Sequence, residues 1–125
     1  MDRIKQILVN KITSSDENFP CILVDHDGFK VSNCIDLAAD ISPRDLFLSS
    51  EWALDLTTKI KSGKAYLVIR DLDNYNEQVQ ENFVSLLKDR RAGNYRLPDK
   101  VQIIIMVTDI NKISRKIQDL CVVFK

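Results

Sequence analysis

The sequence predicts one α/β domain over residues 1–125, a three-layer sandwich built on a mostly parallel sheet. Two observations predict it. Short uninterrupted apolar runs, Cys21-Ile-Leu-Val24, Ala65-Tyr-Leu-Val-Ile69 and Val101-Gln-Ile-Ile-Ile-Met-Val107, read as strands buried on both faces. Helical spacing of apolar residues fills the intervals between them, and a helix in each crossover makes neighbouring strands parallel. Composition agrees: 45% hydrophobic and 29% charged residues, with three glycines and three prolines in 125 residues, suit a globular chain that buries a core without disulfides.

The elements follow in order. Ile4, Ile7, Leu8 and Ile12 recur at helical spacing and predict an amphipathic opening helix that stops in the polar run Thr13 to Asn18. Cys21 to Val24 is the first strand and ends in the turn Asp25-His-Asp-Gly28. Between Phe29 and Leu48 the pattern is weak: Val31 marks an edge strand, Ile35 to Ala39 a helical turn, and Ser42-Pro43 a break. Trp52, Leu56 and Ile60 step by four, predicting a helix from Ser50 to Lys61 with Trp52 in the core and Gly63 just past its end.

The second buried strand, Ala65 to Ile69, breaks at the acidic turn Asp71-Leu-Asp-Asn74. Asn74 with Glu77 three residues on has the form of a capping box, opening a helix whose stripe of Val79, Phe83, Leu86 and Leu87 runs through Lys88. Ala92 to Pro98 is a turn-rich connection around Gly93-Asn94. After the strand Val101 to Val107 come a short helix, Ile113 to Gln118, and a last strand, Cys121 to Phe124.

Lys plus Arg and Asp plus Glu each total 18, so no overall field draws the chain toward nucleic acid or an anionic membrane. Cys21, Cys34 and Cys121 are odd in number, far apart and without metal-ligand spacing, which predicts free thiols in a reducing compartment. No apolar run approaches the ~20 residues of a membrane span, and Met1-Asp-Arg-Ile-Lys5 has no signal-peptide core behind it. The expected location is cytoplasmic.

In a parallel sheet the chemistry gathers at the carboxyl ends of the strands, here Asp25 to Gly28, Arg70 to Asn74 and Thr108 to Asn111. From Lys64 onward the order of motifs resembles the second half of an AAA+ ATPase core, particularly its MoxR-type members. Ala65-Tyr-Leu-Val-Ile-Arg-Asp-Leu-Asp-Asn74 is similar to a Walker B strand. Asp89-Arg-Arg-Ala-Gly93 is similar to the turn behind it, and Leu97 to Asp109 to the approach to a sensor 1 strand. The resemblance covers about half the chain.

The same resemblance implies lost chemistry. A P-loop needs glycines that expose successive N–H groups and a lysine at the helix start. The corresponding turn holds Asp25, His26, Asp27, Gly28 and Lys30, with two carboxylates where phosphate oxygens would sit. Arg70 takes the place of the Walker B metal ligand, and a guanidinium cannot ligate magnesium. Asp71 takes the second acidic place, Thr108 the sensor 1 place, and Leu120 the place of an arginine finger. The chain ends where the family's helical lid would begin. The expectation is a catalytically inactive AAA+-like domain with no cofactor, no metal and no catalytic residue, working as a protein-binding or assembly module whose partner could be a true ATPase.

Alternatives stay open. Lys88, Arg90, Arg91 and Arg96 form a basic cluster near Tyr95 that could meet nucleic-acid phosphates or an acidic partner, as in a replication or clamp-loader-like subunit. Asp71 and Asp73, with Asp25 and Asp27, could hold magnesium or accept a phosphoryl group as in a receiver domain. His26 is the sole histidine, which excludes a site of several histidines, and it has no Gly-x-Ser-x-Gly elbow to serve.

Overall fold

The structure is a computed structural model that describes residues 19–25, 31–48 and 51–125, together with Ile7. Five parallel strands form the main sheet in the order β2-β3-β6-β1-β7: β1 is Cys21–Val24, β2 Cys34–Leu37, β3 Ala65–Arg70, β6 Val101–Val107 and β7 Val122–Phe124. A two-stranded antiparallel hairpin, β4 (Arg91–Ala92) and β5 (Tyr95–Arg96), stands apart from it. Among the described residues the helices with assigned bounds are α1 (Pro43–Phe47), α2 (Glu51–Lys59), α3 (Glu77–Glu81), α4 (Val84–Asp89) and α5 (Arg115–Leu120). The α/β class with a parallel sheet is therefore as the sequence predicts.

Central strands β3 and β6 are buried along almost their whole length, which is why, up to the end of β3 at Arg70, they read as apolar runs broken only by Gln102. Alternation sends Ile22, Leu67, Ile69, Ile103 and Ile105 into one core with Trp52, Leu56, Leu86 and Ile117 from the helices and Phe83 from the turn between α3 and α4. Cys21, Leu23, Tyr66, Val68, Ile104 and Met106 form a second buried cluster on the other face, to which no described helix contributes a buried residue. Of the three layers expected, the described residues supply two. Burial pushes the Cys21 thiol up to about 12, the nearby Lys64 ammonium acting in the opposite direction, so Cys21 packs as a neutral core residue.

Ile7 is helical and exposed, and the rest of the expected opening helix lies outside the described residues. The segment 34–37 corrects the expectation of a helical turn at Ile35: it is the edge strand, paired from Cys34↔Tyr66 to Leu37↔Ile69. Its entry is pinned by Asn33, at a φ of 58, whose amide donates to the carbonyls of Lys59 and Lys64, both 2.9 Å away. These partners are distant in sequence, and four residues carry too little period to announce them. Pro43 opens α1 at its first turn behind a Ser42 cap, where its missing N–H costs nothing.

The helix expected from Asn74 to Lys88 is two helices. Asn74 lies in a short 3-10 turn, and the cap is Asn76, whose side chain accepts from Val79 N at 3.0 Å. Fully buried Gln80 donates to the carbonyls of Tyr75 and Lys112 and accepts from Ser114 N, tying the start of α3 to the start of α5. Asn76→Ala removes the cap and is expected to lower stability by about 1 kcal/mol in urea unfolding. Ser114 caps α5, which runs two residues further along the chain than the apolar spacing suggests, and β7 begins at Val122 rather than Cys121.

Candidate functional site

Because β6 lies between β1 and β3, the sheet gathers the three candidate strand ends on one edge. Two of them leave in the same way. Asp25 after β1 and Asp71 after β3 both adopt left-handed backbone, with φ of 59 and 60, and both donate their N–H to β6, to Val107 O at 2.9 Å and Met106 O at 2.8 Å. Aspartate is among the residues that tolerate this conformation, which explains an acidic residue at each exit without invoking a ligand. His26, Asp27, Gly28 and Lys30, the rest of the expected P-loop-like turn, lie outside the described residues.

Arg70, at the end of β3, sits in the Walker B metal position of the sequence resemblance. Its Nε donates to Asp36 Oδ1 at 3.1 Å on the edge strand and its Nη1 lies 3.1 Å from Met106 Sδ on β6. The guanidinium thus lies across three adjacent strand ends. Both members of the ion pair are largely solvated, so the pair orients Arg70 more than it stabilises the fold. Asp71 is exposed.

Asp73 is the residue at this edge whose role the sequence leaves invisible. It is 6% exposed, and its Oδ2 accepts from the backbone N–H groups of Thr108 at 3.0 Å and Asp109 at 2.9 Å. Two adjacent N–H groups facing one direction form an anion cradle, and here the chain's own carboxylate fills it. Thr108 is exposed and engaged through its backbone. Among the described residues no group of three His, Cys, Asp or Glu side chains converges as a metal site would require. Leu120, in the arginine-finger place, is partly buried against the main core.

The receiver-domain alternative is corrected by topology. A receiver sheet sets its first strand between the second and third, whereas β1 here pairs with β6 and β7.

The basic cluster divides. Arg90 stands at a φ of 55 as the C-cap of α4, and its guanidinium donates to the carbonyls of Pro98 at 2.8 Å and Val101 at 2.7 Å. Burial pulls its pKa below the ordinary value, Asp99 opposing the shift and Arg96 adding to it. Arg90 is a structural clamp and leaves the patch; Lys88, Arg91 and Arg96 are exposed. Tyr95 packs against the Trp52 ring in an edge-to-face contact at 5.4 Å between centroids; Trp52 is buried and Tyr95 half-buried, so neither is a fully exposed stacking platform.

No family model and no curated protein sequence matches the chain. Among solved structures it is similar to a DNA polymerase III, gamma subunit-related protein from Thermotoga maritima MSB8, at 14% identity and a TM-score of 0.47. The likeness covers 97% of this chain and 45% of that one, so this chain spans less than half of that protein's length.

A further concavity lies beside the edge strand and shares Asp36 with the Arg70 ion pair. A cleft of about 300 Å³ is lined by Ile35, Asp36, Ile41, Asp45, Glu51, Trp52 and Asp55, from β2, the residues around α1, and α2. Its four carboxylates belong to elements that the sequence reading left unassigned or took only for their buried side.

Proposed function

We propose that this chain is an AAA+-like domain that does not hydrolyse ATP and works by binding other proteins. The observation that carries the reading is Arg70, a cation in the metal-ligand place, tethered to Asp36 and Met106 rather than turned away from the strand ends. Asp73 adds to it. A nucleotide phosphate arriving at the end of β6 would meet a cradle already holding a carboxylate, and two anions held a few ångström apart repel strongly out of water. The MoxR-type form of the resemblance stands on the sequence motifs alone. A partner that is itself an ATPase fits the reading, because lost turnover with retained surfaces leaves assembly as the remaining use of such a domain.

A nucleic-acid role, the alternative, rests on Lys88, Arg91 and Arg96 once Arg90 is withdrawn, without a fully exposed aromatic platform beside them. Thermal unfolding with millimolar ATP, ADP and magnesium tests the main reading. The expected result is no shift in the midpoint. A ligand at ~100 times its dissociation constant adds about 2.7 kcal/mol of stability, so a magnesium-dependent rise of several degrees would return nucleotide chemistry to the leading place.

A further inference from the structure

The cleft beside the edge strand joins two kinds of surface in one cavity. Ile35 on β2, Ile41 just ahead of α1 and Trp52 on α2 supply its apolar part, the isoleucines half-buried and Trp52 buried. The carboxylates that line it are unequal. Asp36 already holds the Arg70 guanidinium, and Glu51 is engaged within the molecule. Asp45 on α1 and Asp55 on α2 are exposed, and among the described residues neither has a cationic partner, although Lys59 lies one turn beyond Asp55. Asp45 has a local reason to be acidic, since it stands in the first turn of α1. Asp55 lies in the interior of α2, where aspartate gains nothing from the helix.

The chemistry of an occupant follows from these features. The carboxylates repel phosphate, so nucleic acid and anionic lipid are unsuited to the cleft. A bare divalent ion is unsuited as well, because among the described residues no group of three acidic side chains converges as a metal site would require. At about 300 Å³ the cavity is at the small end of ligand clefts, which run from roughly 300 to 1,000 Å³. An elongated cation with an apolar stem meets each condition: the stem lies on the isoleucines and Trp52, and the charged head reaches separate carboxylates. Arginine does this better than lysine, because its planar guanidinium spreads five N–H donors over a fork whereas an ammonium is a compact point charge. The rim already shows the pairing, in the 3.1 Å contact between Arg70 Nε and Asp36 Oδ1.

We propose that this cleft receives an arginine side chain of a partner protein, with Asp45 and Asp55 taking the guanidinium and Ile35, Ile41 and Trp52 its methylene stem. The inference rests on the binding-module reading and names the partner's chemistry at one site.

Trp52 is the sole tryptophan, so its fluorescence reports on the cleft. The full chain is titrated with a blocked tripeptide, arginine between two leucines, and with the same peptide carrying citrulline, which has the shape of arginine without its charge. Amide shifts are followed by NMR in parallel. The arginine peptide is expected to give a saturable fluorescence change with shifts at Ile41, Asp45 and Asp55. The citrulline peptide should bind about tenfold more weakly, as the loss of two solvated charge contacts implies. Asp45→Asn with Asp55→Asn keeps size and polarity and should lose the same factor. No saturable change with the arginine peptide, equal binding of the two peptides, or equal binding to a double variant that circular dichroism shows to be folded would each overturn the proposal. So would spermidine binding as tightly as the arginine peptide, which would assign the cleft to a free polyamine. The same shifts on concentrating the chain alone would overturn it too, by assigning the cleft to a second copy. Magnesium ATP added in the same experiment reports on the binding-module reading separately: shifts at Arg70 and Thr108 would sink that reading, while the peptide titrations decide the cleft.

Discussion

Replacing Gly93 with alanine is expected to lower stability by about 3 kcal/mol, the larger of the effects that follow from this structure, measured as the change in urea midpoint at constant slope. Two costs combine. Gly93 has a φ of 61, a left-handed conformation that costs a residue with a Cβ roughly 1–2 kcal/mol. The added Cβ would also stand 2.5 Å from the carbonyl oxygen of Phe47, which is backbone and has no rotamer through which to withdraw. The hairpin must then lift from α1. The edge-to-face contact of Tyr95 with Trp52 would loosen with it, so near-ultraviolet circular dichroism should report the change along with the midpoint. A variant with wild-type stability would mean that the hairpin is not seated on α1 as described.

Asp73→Ala is expected to cost about 2–3 kcal/mol. The carboxylate accepts two backbone N–H bonds, from Thr108 and Asp109, and hydrogen bonds to a charged group contribute roughly 1.5–3 kcal/mol each before the freed donors find water. Thr108 is exposed, so one donor can be resolvated and the loss stays below the sum. Asp73→Asn keeps an acceptor oxygen at the same place and should lose about half as much. The pair of variants separates a charge effect from a connectivity effect. Hydrogen exchange at the amides of Thr108 and Asp109 is the local readout: both should speed up in the alanine variant, and unchanged protection would show that Asp73 does not hold the end of β6.

The two substitutions touch different aspects of the same molecule. Asp73 determines what the strand ends can accept, because it occupies the donors that an anion would use. Gly93 determines where the hairpin stands, because it lets the turn sit against α1, which contributes Asp45 to the acidic cleft. Neither role is visible from residue type. Asp73 reads as one more turn carboxylate, and Gly93 as one more turn glycine.

Elements whose signal is local were legible in the chain. The strands at Cys21, Ala65 and Val101 announce themselves because burial on both faces leaves no polar residue free to interrupt them except Gln102, which is itself buried and donates to Phe19 O at 2.9 Å. Helix α2 shows its period because Trp52 and Leu56 meet the core on one side only. The boundaries at Asn76 and Ser114 were displaced because several residues nearby have capping side chains, and only packing selects among them. The edge strand at Cys34 was hidden, since its reason for being extended is the free edge of β3, thirty residues away.

What the sequence determined by itself was the class of fold and the chemical character of the strand ends: an arginine cannot become a metal ligand wherever the chain places it. Tertiary structure alone decided which charges are free to act. The four cations near residue 90 are alike in the sequence, yet Arg90 turns inward to two carbonyls while Arg91 and Arg96 face each other outside. The cleft carboxylates likewise come from segments with no common pattern, brought together because α1 and α2 fold back over the edge of the sheet. Residue type sets what a side chain can bind, and only the packing of distant segments sets what remains for it to bind.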